Sequence, residues 1–347
     1  MARRLVDQSK EIFNKNLIRV SSKNMRIATF NLESLDLEPK AKVPIDLRIE
    51  MLRPQLLRLN CDILCLQEVN GQKLTGCVNR QLVALDMLLE NTPYSTYYRI
   101  STGDKSGEGV SDIHNLVILS QFPIVEHKEI FHEFLKPQKV KLSWPANKAQ
   151  IIKWDRPILH AKIKLENDQY LHVFNVHFRA PLATPIVGQK LSPFVWKSVS
   201  GWAEGYYLAE LKRSGQALEL RLALEGLLLQ NNQQQIIVCG DFNAEDHDAA
   251  LKIVIASEED TGNGALANHV FTLLDRSISV DRRYSILHHA RPQMVDHILV
   301  NRSMLSYFKD IEVHNETLAD ELLAFSKIDR PPDSFHAPVV AEFTSFN

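Results

Sequence analysis

Asn31, Glu33, Glu68, His177, Asp241, Asn243, Asp296 and His336 carry the chemistry this sequence could perform, and each stands in or beside a short apolar run. The first three offer oxygens. Mg²⁺ takes oxygen ligands and keeps several waters, so one or two carboxylates such as Glu68 suffice to hold it. A carboxylate at the end of a buried strand is costly unless it is paired or bound to a cation. Taken alone, Glu68 could equally pair with a surface arginine or cap the next element. In-line displacement at phosphorus needs a group that orients and deprotonates water, donors on the equatorial oxygens and a cation for the developing charge. Asp241 suits the first task, and Asn243 and His177 suit the second. A lone histidine after a strand is commonly a satisfied turn residue. The Gly240-Asp241-Phe242-Asn243 turn is more specific, because a plain turn has no need of a carboxamide so close to the acid. Asp296 and His336 complete the set, since a carboxylate bonded to one imidazole nitrogen fixes the tautomer and leaves the other to work on phosphate or water. His297, next to Asp296 on a strand, points to the opposite face and reads as structural.

Six runs must position these groups: Ile27–Glu33, Ile63–Glu68, Val173–His177, Ile236–Asn243, Val295–Val300 and His336–Ala341. Each is short and rich in β-branched residues, as a buried strand is. His114–Ser120, closed by Gln121-Phe122-Pro123, and Pro157–Leu165, turning at Asn167-Asp168, are two more. Between the first two strands, Leu47, Met51, Leu52, Leu56 and Leu59 recur at near-helical spacing, with Asp46 available as N-cap after Pro44. Asn79–Glu90 repeats the theme, which places helices outside the sheets. From Ala180 to about Gln230 the rhythm breaks into a loop bearing Pro181, Pro185, Pro193, Trp196 and Trp202, then a helix from about Ala203. Gly205, Gly215 and Gly226 would weaken that helix enough to divide it.

The 347 residues, 45% of them hydrophobic, suffice for a large core, and no repeat or linker divides the chain. The expected organisation is a leader segment, residues 1–24, and a single domain, 25–347, with a loop-helix insertion at about 180–230. A net charge of −2 excludes a uniformly basic coat but not a local basic cleft. Cys61, Cys65, Cys77 and Cys239 lack metal-site spacing and read as reduced buried thiols. The N-terminus has no apolar core of a secretory signal and no stretch is long enough to span a bilayer, so the expected location is cytoplasmic.

With the motifs in this order, the chain resembles the endonuclease/exonuclease/phosphatase superfamily of the deoxyribonuclease I-like fold, from about Arg26 to Phe343. The resemblance implies an α/β (α+β) four-layer sandwich, two mixed β-sheets face to face flanked by helices, and cleavage of phosphoester bonds with Mg²⁺ or Mn²⁺. By motif, Asn31 and Glu68 match the family's Asn and metal-binding Glu, and Glu33 stands where many members have an acid. His177 matches the first catalytic His, Asp241 and Asn243 the Asp-x-Asn pair, and Asp296 the acid that orients the terminal His, here His336. Asn115 and Arg156 lie in segments like those flanking the family's cleft, as substrate-binding candidates. Where members usually place Ser-Asp-His before Ala-Pro-Val, this chain has Asp333-Ser334-Phe335-His336, so Phe335 replaces a metal ligand. Asp333 could compensate, or Glu33 and Glu68 hold the ion alone.

The fold does not choose the substrate. Lys136–Arg156 has a local charge of +5, six bases against the single acid Asp155, interleaved with Trp144 and Trp154. That mixture fits a nucleic-acid groove, or else a solvated hairpin with its tryptophans packed underneath. Phe194, Trp196, Trp202, Tyr206 and Tyr207 would grip a lipid or partner if exposed and serve as scaffold if buried. The leading expectation is a metal-dependent phosphodiesterase, an intracellular nuclease. The alternatives are a phosphomonoesterase or a lipid or inositol phosphodiesterase on the same site, and a phosphate-binding homologue disabled by Phe335.

Overall fold

The computed structural model describes residues 24–37, 43–104, 107–143, 149–322 and 332–345. Two six-stranded mixed sheets form its centre. The first contains β1 (Met25–Leu35), β2 (Ile63–Val69), β3 (Tyr98–Ser101), β4 (Asn115–Ser120), β17 (Phe308–Val313) and β18 (Val339–Phe343), in the order β17-β18-β1-β2-β4-β3. The second contains β5 (Ile124–Ile130), β8 (Ile158–Lys164), β9 (Tyr170–His177), β12 (Gln235–Asp241), β13 (Phe271–Leu273) and β16 (Asp296–Asn301), in the order β13-β16-β12-β9-β8-β5. Three hairpins lie outside them: β6 (Gln138–Lys141) with β7 (Ala149–Ile152), β10 (Lys190–Ser192) with β11 (Val195–Trp196), and β14 (Ile286–His288) with β15 (Arg291–Gln293).

Alternation along the strands sorts the apolar residues. Ile27, Ile63, Cys65 and Ile118 meet Leu159, Val173, Ile237 and Ile298 between the sheets. Ala28, Phe30, Leu64 and Leu66 turn outward, where helices α1 (Ile45–Leu59) and α2 (Val83–Leu89) cover them. Phe174, Val176, Ile236 and Val238 turn outward from the second sheet under α3 (Val199–Gln230) and α4 (Ala249–Ile255). The result is the expected four-layer sandwich, helix, sheet, sheet, helix. Strands buried on both faces read as continuous apolar runs, which is why they were visible in the sequence. Cys61, Cys65 and Cys239 are buried free thiols, and burial pushes the Cys65 thiol well above its ordinary range.

Several boundaries differ from expectation. In α1, Pro44 is the N-cap and no side chain caps the helix, so Asp46 instead lies in the first turn, where its charge suits the helix dipole. The buried stripe is Ile49, Leu52, Leu56 and Leu59, while Leu47 and Met51 face solvent on the opposite side. The second helix begins at Val83 rather than Asn79, because Gln81 first pairs with Gln72 and the Gln72 side chain then accepts from Ala84 N–H. The final strand begins at Val339, leaving His336-Ala337-Pro338 in a loop.

Helix α3 is one continuous element of 32 residues, starting at Val199 with Ser198 as its N-cap. Gly205 lies against the Thr184 carbonyl and the Trp196 ring, and Gly215 lies against the Trp154 ring. A methyl group at either place would collide, so these glycines give up roughly 1 kcal/mol of helix propensity each for close packing. Trp154 is buried there, with its indole N–H donated to Glu219. It is therefore scaffold, not a platform for stacking bases. Trp144, Lys148 and the leader segment up to residue 23 lie outside the described residues.

Candidate active site

The two sheets deliver their polar strand ends to one buried cluster. β12 is the pivot: it runs parallel to β9, with Asp241 opposite His177, and antiparallel to β16, with Asp241 opposite Asp296. From the facing sheet, β1 and β2 bring Asn31 and Glu68. Asn31 Nδ2 donates to Asp241 Oδ2 at 3.0 Å and to Glu68 Oε1 at 3.3 Å, so one carboxamide ties the sheets together. His177 Nε2 lies 3.3 Å from Asp241 Oδ2 and 3.6 Å from Glu68 Oε1. The Asn243 N–H bonds Asp241 Oδ1 at 2.8 Å, and its side-chain amide bonds Asp241 Oδ2 at 3.0 Å. His336 Nδ1 meets Asp296 Oδ2 at 2.7 Å.

Backbone geometry aims these groups. β1 breaks register with β2 between Asn31 and Leu35, where Glu33 and Ser34 take φ of +49° and +52°. A bulge of this kind re-aims side chains that strict alternation would fix. The buried Arg48 of α1 holds it, donating to the carbonyls of Leu32 and Glu33 at 2.7 and 2.8 Å. Ser34 in turn gives Glu68 Oε2 two donors, its N–H at 3.0 Å and its hydroxyl at 3.2 Å.

Burial and charge set the protonation states. Burial, reinforced by Asp296, raises Asp241 to about 7. Burial opposes the charged form of His336, but Asp296, Asp241 and Glu68 outweigh it and raise the imidazole to about 10. Burial, then Arg156, pushes His177 well below its ordinary value. Arg156 Nη1 donates to His177 Nδ1, so the neutral ring carries its proton on Nε2, facing Asp241 and Glu68. Burial works against the Glu68 carboxylate too, yet His114, His336 and Arg156 lower it overall. Glu33 is raised, by burial.

The donor set fits a hard divalent cation. Asp241, Asp296 and His336 bring possible ligand atoms within 4.8 Å of one another. A His336 raised to about 10 holds its proton at neutral pH and is a donor rather than a ligand. Asp296 Oδ1 is buried without a hydrogen-bond partner among the described residues, an unmet acceptor that a cation or water would satisfy. Glu33 Oε2 accepts the Phe335 N–H at 2.8 Å, so an acid reaches the place where residue 335 supplies none. Asp333 is turned toward α1, where its Oδ1 accepts from Gln55 and from Ser334 N–H, both at 2.7 Å.

Asn115 does not join the cluster. Fully buried, it donates to the Val69 and Ser111 carbonyls and accepts from Ser111 N–H, which makes it a strand-end clamp rather than a substrate ligand. His297 is structural, held between Asp275 and the Ala244 carbonyl. Sequence reasoning passed over His114, whose Nε2 lies 3.6 Å from Glu68 Oε2, and Arg213 of α3, which donates to the Asn243 carbonyl. The one signal available for His114 was its place at the start of the expected strand His114–Ser120, which in the structure begins one residue later.

Two packed sheets that converge carboxylates, a protonated histidine and carboxamides on one cluster define a class of hydrolases that attack phosphoester bonds. The sequence profile of the Endonuclease/Exonuclease/phosphatase family matches residues 28–309, most of the chain, and the protein belongs to that family. A solved endonuclease/exonuclease/phosphatase from Bacteroides vulgatus shares 17% identity, with 93% of this chain and 100% of that one covered at a TM-score of 0.56. The 3′ phosphatase NExo from Neisseria, bound to a product DNA hairpin, shares 18%, covering 92% and 99% at 0.50. An AP endonuclease from Archaeoglobus fulgidus shares 15%, covering 92% and 99% at 0.51. At such identities the likeness is one of fold. A search among curated proteins finds no match. Among the described residues no helix is long and apolar enough to cross a membrane.

Proposed function

We propose that this protein hydrolyses phosphodiester bonds of nucleic acid inside the cell, with Mg²⁺ or Mn²⁺ as cofactor. The observation that carries the reading is the cluster of buried His177, Asp241 and Asp296 with half-buried Glu68, Asn243 and His336, in which Asp296 Oδ1 has no partner among the described residues. Glu68, with Asn31 bonded to it and Glu33 nearby, would hold the cation, which would supply a Lewis acid for the developing phosphoryl charge. Asp241, raised to about 7, is poised near neutral pH to orient water and take its proton. His177 Nε2–H and the Asn243 amide face it as donors for phosphoryl oxygens. His336, held protonated by Asp296, places positive charge on the pentacovalent state.

Support for nucleic acid comes from two sides. The β6–β7 hairpin and its flanks expose Lys136, Lys139, Lys141 and Lys153, suited to backbone phosphates. The Neisseria and Archaeoglobus structures of the same fold are named for DNA-directed activities. One observation favours a lipid phosphodiester instead: the stretch Leu182–Trp202 exposes large apolar side chains. The test is hydrolysis, with Mg²⁺ or Mn²⁺ against chelator, of plasmid DNA, single-stranded DNA, RNA, inositol phosphates and sphingomyelin, beside Asp241→Ala. Metal-dependent cleavage of DNA or RNA that disappears in the variant is expected. Cleavage of the lipid or inositol substrates alone would replace the nuclease reading, and no turnover of any substrate would leave a phosphate-binding role.

A further inference from the structure

We propose that the segment from Leu182 to Trp202 docks this protein on an anionic lipid surface. The inference is independent of which phosphoester the active site cleaves. Within 21 residues of chain, Leu182, Val187, Leu191, Phe194, Val199 and Trp202 all face solvent, with Phe194 93% exposed, Val187 83% and Val199 82%. So many large apolar side chains exposed within one short segment point to a contact surface.

The display rests on a built platform. Ile186 and Gln189 are buried beneath it. The Thr184 N–H bonds the Gly205 carbonyl at 2.8 Å, and the Lys197 N–H bonds the Gln189 carbonyl at 2.9 Å. Ser198 joins Gln189 Oε1 at 2.8 Å and caps α3. Gly201 and Gly205 let the loop approach the helix where a side chain would strike Gln189 or the Thr184 carbonyl. These contacts anchor the segment on α3 at Thr184, Gln189 and Ser198 while its apolar side chains stay exposed.

Charge and shape select the occupant. From residue 180 to 203 the charged residues are Lys190, half-buried with its Nζ 4.4 Å over the Trp196 ring, and the exposed Lys197, and the first acid is Glu204. Lysine is depleted at protein–protein contacts but suits an anionic membrane surface beside Trp, Phe and Leu. Phe194, in the two-residue turn of the β10–β11 hairpin, projects almost wholly into solvent. A projecting aromatic enters fluid acyl chains readily, whereas a protein partner must offer it a matching pocket. The segment also begins at the active site: Arg179, two residues after His177, donates to the Leu182 carbonyl at 3.3 Å.

The test is co-sedimentation of the full chain with vesicles of phosphatidylcholine plus phosphatidylglycerol, against phosphatidylcholine alone. Wild type should pellet with the anionic vesicles and be released by salt. Leu191→Ser/Phe194→Ser should weaken binding about tenfold or more, and Lys190→Gln/Lys197→Gln should weaken it about tenfold. Thermal midpoints and hydrolysis of soluble bis-p-nitrophenyl phosphate should match wild type in both variants, because none of these side chains belongs to the cluster. Wild type that stays in the supernatant with anionic vesicles would overturn the proposal. So would a wild-type dimer in light scattering that Phe194→Ser converts to monomer, since the face would then join two copies.

Discussion

Replacing Asp241 with asparagine should make the protein more stable at alkaline pH while removing its activity. Asp241 is buried, and its burial together with Asp296 raises it from 3.8 to about 7. Between those values the unfolded chain has lost the proton that the folded chain keeps, so folding stability falls as pH rises. Each pH unit in that window is worth about 1.4 kcal/mol. The penalty therefore grows by roughly 3 kcal/mol between pH 5 and pH 8, to about 4 kcal/mol. An asparagine keeps an acceptor for Asn31 and Asn243 at the Oδ2 position but turns its NH₂ toward the Asn243 N–H, which now bonds Oδ1. One lost bond costs about 1–3 kcal/mol at any pH. Relative to wild type, Asp241→Asn should thus gain about 3 kcal/mol between pH 5 and pH 8. Urea unfolding at the two pH values, in chelator so that cation binding cannot favour wild type, measures that difference. A stability gap that does not change with pH would refute the argument, because neither burial nor Asp296 would then be acting on this carboxylate.

Three further outcomes follow from the same contacts. Arg213→Met removes the guanidinium that holds the Asn243 carbonyl and Glu210; kcat on a phosphodiester should fall about tenfold with KM little changed, Arg213→Lys should recover part of it, and an unaltered kcat would show that Asn243 needs no such support. Burial holds His160 down at about 3, so its stabilisation is complete above its ordinary 6.5 and is lost as pH falls toward about 3; wild type should lose about 2 kcal/mol between pH 6.5 and 5. His160→Gln should flatten that acid limb in denaturant titrations, and an equally steep limb would mean that His160 is not the group being titrated. Glu68→Gln should abolish any stabilisation by Mg²⁺ or Mn²⁺ in thermal unfolding, and a metal-dependent midpoint that survives in the variant would move the cation away from Glu68.

The parts of the fold and site that could be read from sequence are those whose causes are local. A strand buried on both faces must be apolar throughout, so a polar residue at its end is conspicuous, and Glu68, His177 and Asp241 were visible for that reason. Period-two alternation assigned Asp296 and His297 to opposite faces without a structure. The residues passed over act across long separations in the chain. Arg48 reads as an ordinary helix residue until the β1 bulge is seen beneath it, and Arg213 reads as a surface base until α3 is laid across the Asn243 turn. The same blindness explains the supposed break in α3: Gly215 signals weakness on propensity alone, and only the Trp154 ring against it reveals that the position requires a glycine. Asn115 was misread in the opposite direction, since a carboxamide at a strand end serves a clamp as well as it serves a ligand.

The backbone shows what it takes to assemble such a cluster. Glu33, Ser34, Glu68, His114 and Asn243 are non-glycine residues with φ between +47° and +57°, and all five lie in or against the site. Each such conformation costs on the order of 1 kcal/mol or more and persists only where neighbours over-determine it. Here the neighbours are identifiable: Arg48 on the carbonyls of the β1 bulge, Asn70 accepting the His114 N–H at 2.9 Å, Arg213 on the Asn243 carbonyl. Regular strands would have delivered the same side chains at less cost, but alternation would have fixed their directions. Bending the chain at its strand ends turns Glu33 toward residue 335 and Glu68 toward His177. Strained backbone and crowded carboxylates are thus two forms of one expense, both carried by the packed sheets and both serving to hold charge where phosphate chemistry needs it. A substitution that relieves either, Asp241→Asn above all, should at alkaline pH stabilise the scaffold and disable the site for the same physical reason.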